Sequence, residues 1–162
     1  MNNVYIGRLI TTHGIKGEVR ISSNFEYKDH VFVIGKKLII NNRDYTINSY
    51  RVHKGYDMVT FKEINNINDA IPLKQAKVYI KREDLNLDND FIYDDLLGMD
   101  VILNELSIGV IDDYDNGLNK LIHVKGNNTF FIPFVNDFII KIDKDNNKIY
   151  VSDMVKDLMK WK

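Results

Sequence analysis

Residues 4–22 read VYIGRLITTHGIKGEVRIS, two β-branched, partly alternating runs held apart by a turn-forming segment. In the second run Val19 and Ile21 point one way and Glu18, Arg20 and Ser22 the other, the period of two that marks a half-buried strand. Between the runs Gly14 and Gly17 supply positive φ at little steric cost, so TTHGIKG turns tightly and exposes backbone N–H groups. The stretch predicts a strand pair over Val4–Ile10 and Glu18–Ser22.

The same pattern continues outward. Lys37–Ile40 and Tyr45–Tyr50 flank the turn formers Asn41, Asn42, Arg43 and Asp44, Met58–Phe61 follows the Gly55 turn, and Lys77–Ile80 closes the first unit. In NNINDAIPLKQ, residues 65–75, Asn66 or Asn68 is an N-cap, but Pro72 limits the helix to one or two turns. Six short strands in about 80 residues predict a small closed barrel. REDLNLDND, residues 82–90, is polar and acidic and reads as a linker. Strands then resume over Met99–Leu103, Ile108–Ile111, Leu121–Val124, Phe130–Ile132, Phe138–Ile142 and Ile149–Val151. SDMVKDLMKWK, residues 152–162, has Ser152 or Asp153 as a cap and Met154, Val155, Leu158 and Trp161 near helical spacing. The predicted fold class is all-β: small β-barrels over residues 1–83 and 93–162, a linker over 84–92 and a short C-terminal helix.

Composition narrows the function classes. The apolar fraction of 44% is that of a chain that folds, and no apolar run approaches the ~20 residues that span a bilayer. The start MNNVYIGRLI lacks a signal peptide's basic region and cleavage site, which leads to the expectation of a cytoplasmic protein without a membrane partner. With no Cys there are no disulfides, thiolate metal sites or Cys nucleophiles. The formal net charge of −1 divides unequally, +6 over residues 1–83 and −7 over residues 84–162, which suggests different partners for the two halves.

Enzyme chemistry finds no motif. His13, His30, His53 and His123 are scattered without metal-ligand spacing, so no metal is expected. Asp94 with Asp95, and Asp112 with Asp113, are adjacent carboxylates that a strand would send to opposite faces. The glycines at 7, 14 and 17 do not match a dinucleotide fingerprint, and no phosphate-cradling loop or nucleophile elbow occurs. No cofactor or small-molecule substrate is expected. Binding chemistry is better represented. HGIKGEVR gathers His13, Lys16 and Arg20 around Gly14 and Gly17, where cations and free amides together favour phosphate, although a plain tight turn has the same spacing. Arg51, His53 and Lys54 stand with Tyr50 and Tyr56, cations interleaved with rings that either stack bases or pack in a barrel.

At HGIKGEVR the sequence closely resembles the ribosome maturation factor RimM family. GRLITTHGIKGEVRI and SYRVHKGYDMVTFKEINNINDA resemble its N-terminal blocks; YDDLLGMDV, IGVIDDYDNG and FIPFVNDFIIKIDKDNNKIYV resemble its C-terminal ones. The resemblance implies an N-terminal six-stranded barrel like those of translation factors and a C-terminal barrel of the PRC type. It implies a non-enzymatic factor that binds the immature small ribosomal subunit and promotes maturation of its head and 16S rRNA processing. The implied partners are ribosomal RNA and a basic ribosomal protein of the head, S19. His13, Gly14, Lys16, Gly17, Arg20, Arg51, His53 and Lys54 are then candidates for RNA, and Phe91, Ile92, Tyr93, Asp94 and Asp95 for the protein. The family commonly carries two adjacent Tyr where Phe91 and Ile92 precede Tyr93, and Pro72 and Asp157 also depart from its pattern. A general RNA-binding adaptor is the alternative, and an RNA-acting enzyme a third reading.

Overall fold

β1 (Asn3–His13) and β2 (Glu18–Ser22) pair antiparallel around the Gly14–Gly17 loop, with His13 opposite Glu18 and Leu9 opposite Ile21. The structure is a computed structural model that describes residues 3–87 and 91–160. The chain divides into two compact units, residues 1–90 and 91–162.

The first unit continues through a one-turn helix α1 (Lys28–Val31), β3 (Lys37–Ile40), β4 (Arg43–His53), β5 (Tyr56–Phe61), a one-turn helix α2 (Ile67–Ala70) and β6 (Lys77–Lys81). Its strands close into a barrel in the order β1-β2-β5-β4-β3-β6. β1 closes the ring by pairing with β2 and with β6, and its register shifts once in each pairing, the bends a long strand needs to serve both neighbours. Inward residues fill the interior: Leu9, Val19, Ile21, Leu38, Ile47, Val59 and Ile80 are fully buried. β4 is longer than the sequence predicts. Asn41 and Asn42 alone make the turn, at φ 51 and 64, and Lys54 and Gly55 make the next, at φ 52 and 81. Two-residue turns with positive φ at both positions match strand twist, so β4 extends to both of them.

Asn66 caps α2, its side-chain oxygen accepting from the N–H groups of Asn68 at 2.9 Å and Asp69 at 3.2 Å. Pro72 falls in the 3-10 turn that follows. The acidic stretch expected as linker begins as a 3-10 turn, Arg82–Leu85, tied to the first unit. Leu85 is fully buried, and Lys36 Nζ donates to the Asp84 carbonyl at 2.5 Å.

The second unit opens with a 3-10 turn, Tyr93–Leu96, followed by β7 (Asp100–Leu103), β8 (Leu106–Asp115), β9 (Leu121–Lys125), β10 (Thr129–Pro133), β11 (Ile139–Asp143), β12 (Lys148–Val151) and α3 (Val155–Met159). These strands form one six-stranded sheet in the order β10-β9-β8-β7-β12-β11, all antiparallel except β12 with β7. Leu96, Val101, Ile111, Ile122, Val124, Ile132, Ile149 and Val155 share its core. The expected cap of the terminal helix is corrected. Met154 holds the N-cap position; the Ser152 hydroxyl donates to the Asp137 carbonyl at 2.6 Å, and the Asp153 carboxylate accepts from Asn104 at 2.8 Å. Trp161 lies outside the described residues. No helix among the described residues is long and apolar enough to cross a membrane.

Candidate functional site

Barrel closure makes β2 and β5 antiparallel neighbours, with Val19 opposite Val59 and Ile21 opposite Asp57, so the β1–β2 loop lies toward the Phe61 end of β5. Arg20 on β2 and Arg51 on β4 both lie opposite Met58 of β5, one on either side. Side chains of the two groups, which stand some 30 residues apart in sequence, therefore come within reach of one another. His13 ends β1 and His53 ends β4, and their rings are 5.9 Å apart with a tilt of 48°. The Arg20 guanidinium lies 4.9 Å from the centroid of the Tyr56 ring, while its buried Nε has no hydrogen-bond partner. Lys54 occupies the tip of the β4–β5 turn, and Lys16 is exposed on the glycine loop.

The loop's shape depends on Gly17 more than on Gly14. Both have positive φ, 90 and 84, but a Cβ at Gly17 would meet Ile64 Cγ2 at 2.7 Å and the Asn66 carbonyl at 2.9 Å, whereas Gly14 faces open space. The Ile15 carbonyl accepts from the Ile67 N–H at 3.0 Å, which fixes the loop to α2.

Arg51 differs from the picture of a free cation. It donates to both oxygens of Glu18, at 2.8 and 3.0 Å, a bidentate pair that absorbs its charge locally. The Arg51 hydrogen bond is also the main reason the Glu18 carboxyl sits below its usual range. His53 is held below the ordinary imidazole range by desolvation, and then by the charges of Arg51, Lys54, His13 and Arg20. Tyr50, read with the RNA-facing aromatics, is turned elsewhere. Its ring stacks on Phe32 at 5.0 Å and its hydroxyl donates to Asp57 at 2.6 Å. Asp57 is 2% exposed and also pairs with Lys28 of α1 at 2.9 Å. Of the two tyrosines, Tyr56 belongs to the cationic group and Tyr50 to the packing of the barrel.

Sequence reasoning missed Glu18 as Arg51's partner, the His13–His53 contact and the Lys28–Asp57–Tyr50 group. Strand alternation holds part of the signal: Val19 and Ile21 are inward, so Glu18 and Arg20 share the outward face.

In the second unit Phe91, Tyr93, Tyr114 and Phe134 form a half-buried aromatic group. Phe91 lies 6.2 Å from Phe134 with rings nearly parallel, and Tyr93 lies 5.1 Å from Phe134 and 5.7 Å from Tyr114. Ile92 is fully buried. Asp94 and Asp95 stand in a 3-10 turn, not on a strand. The Tyr114 hydroxyl donates to Asp94 at 3.2 Å, and Asp95 accepts from the Ile92 N–H at 3.2 Å and pairs with Lys144 at 3.2 Å. The structure thus brings Phe91 and Tyr93 together and turns Ile92 and Asp95 to local structural use. Among the described residues no three His, Cys, Asp or Glu side chains converge as metal ligands do.

Residues 4–85 match the family model described as the RimM N-terminal domain, and residues 93–155 match that of the RimM PRC barrel domain. Ribosome maturation factor RimM of Staphylococcus aureus strain JH9 is 41% identical over 160 residues, covering 93% of this chain and 96% of the relative, and the strain Newman protein matches to the same extent. The solved N-terminal domain of RimM from Thermus thermophilus aligns with a TM-score of 0.47 at 19% identity, over 54% of this chain and 98% of that one.

Proposed function

The chain belongs to the RimM family, and from that premise we propose that it is an assembly factor of the small ribosomal subunit that acts by binding and catalyses no reaction. The observation that carries this reading is the ordered match of both family domains, with 41% identity to ribosome maturation factors along 93% of the chain. It works in the cytoplasm on the immature particle and promotes head maturation and 16S rRNA processing. The halves divide the labour. The +6 first half faces ribosomal RNA through the β1–β2 and β4–β5 hairpins, which carry Lys16, Arg20 and Lys54. The −7 second half faces a basic ribosomal protein of the subunit head, with acidic surface steering the encounter and Phe91 and Tyr93 supplying apolar contact.

Depletion in growing cells tests this. Unprocessed 16S rRNA precursors should accumulate and clear on re-expression of the full chain. Normal precursor levels after depletion would refute the assembly role.

A further inference from the structure

Two imidazoles meet in the cationic group of the first unit, and neither the family match nor the phosphate chemistry of lysine and arginine explains why. His13 and His53 come from different hairpins, 40 positions apart in sequence, yet their rings lie 5.9 Å from each other. An imidazole changes charge near neutral pH, so this pair is a reserve of positive charge that the solvent can switch.

The surroundings decide which way it is set. Facing the pair among the described residues are Arg20 on β2, Arg51 on β4, Lys54 in the β4–β5 turn and the Glu18 carboxylate on β2. Glu18 is engaged bidentately by Arg51, so it offers the imidazoles little counter-charge. The remaining neighbours are cations, and each disfavours a further proton on His53. An anion placed among them reverses that balance. Its negative charge offsets Arg20 and Lys54, accepts hydrogen bonds from N–H groups and favours the imidazolium form. Arg20 supplies a fixed cation, since its guanidinium is held over the Tyr56 ring.

We propose that His13 and His53, with Arg20 and Lys54, form a phosphate site that takes up protons as it engages an RNA phosphodiester. The inference rests on the reading that these hairpins of the barrel face ribosomal RNA. No bond is made or broken; solvent protons move onto imidazole nitrogen as the anion docks. By linkage, association that takes up protons must strengthen as pH falls.

The test is equilibrium binding of the full-length protein to a transcript of the head domain of small-subunit ribosomal RNA, from about pH 8 to about pH 6 at fixed ionic strength. Affinity is expected to rise about tenfold over that range, the equivalent of one unit of pKa shift on one imidazole. His13→Gln and His53→Gln should each flatten the dependence, and the double variant should remove it. His123→Gln, in the other unit, should keep the wild-type slope. Binding without a pH slope, or a slope that survives the double variant, would overturn the proposal while leaving RNA contact intact. No binding by the wild type at any pH would overturn both this proposal and the RNA-contact reading.

Discussion

Arg51 donates two near-parallel hydrogen bonds to Glu18, Nη2 to Oε1 at 2.8 Å and Nε to Oε2 at 3.0 Å, which joins the end of β4 to the first residue of β2. The pair ties the two hairpins together across β5 and removes one cation from those free to meet phosphate.

Glu18→Gln should release Arg51. RNA binding is then expected to strengthen, and its log–log salt slope to steepen by roughly 0.7 to 0.9, the increment of one phosphate contact. Stability should respond in the opposite sense. The folded-state pKa of Glu18 is lowered, first by the Arg51 hydrogen bond, so its contribution is present above the ordinary Glu value of about 4.3 and is lost as pH falls through the folded value. Denaturant titrations of both proteins across that window check this. A stability margin over Glu18→Gln that persists unchanged into strong acid would contradict it.

The Lys28–Asp57 pair predicts a rescue. Lys28→Met leaves a carboxylate only 2% exposed without its cation, and should lower stability by about 2–3 kcal/mol, below the usual ~3–5 because the Lys28 side chain is itself 36% exposed. Adding Asp57→Asn removes the unpaired charge while leaving Tyr50 an oxygen to donate to, so the double variant should be more stable than Lys28→Met alone. Equal stability of the two would show that the charge is not what matters.

The glycines separate by what a methyl group would meet. Gly14→Ala carries only the strain of positive φ, about 1 kcal/mol, while Gly17→Ala adds contact with Ile64 and the Asn66 carbonyl and should exceed about 2 kcal/mol. Lys16→Ala should leave stability nearly unchanged and weaken RNA binding. Thermal melts of the three variants rank them, and a Gly17→Ala melt matching that of Gly14→Ala would show that α2 yields to the loop.

Ile92 and Phe91 should part company although adjacent. Ile92→Ala empties a fully buried position and is expected to cost about 2–4 kcal/mol, with capture of the basic head protein falling only as the folded fraction falls. Phe91→Ala should weaken capture where the protein is still fully folded. Calorimetry and pull-down on the same samples distinguish the two, and equal capture by Phe91→Ala and wild type would remove Phe91 from the interface.

Much of the barrel architecture is legible because it rests on local rules. Alternation places Val19 and Ile21 inside, and Asn66 announces the one-turn α2 by the capping chemistry of its side chain. What escapes is whatever depends on strand order. Nothing in sequence spacing sets β2 beside β5, so the Arg51–Glu18 and His13–His53 meetings become visible only once the ring is closed. Tyr50 and Arg51 look like one cluster in sequence, yet adjacent strand residues face opposite ways and the ring goes to Phe32 and Asp57. Leu85 shows the same limit: a polar segment conceals one side chain that is fully buried.

We propose that this chain engages the immature small subunit and not the finished one. The most direct measurement is sedimentation of growing-cell extract carrying a tagged full chain, with each particle typed by its ribosomal RNA. The chain should travel with small-subunit particles that contain unprocessed 16S rRNA, and be absent from mature subunits and translating ribosomes. Recovery only at the top of the gradient, or equally on mature subunits, would show that it is not a factor of the immature particle.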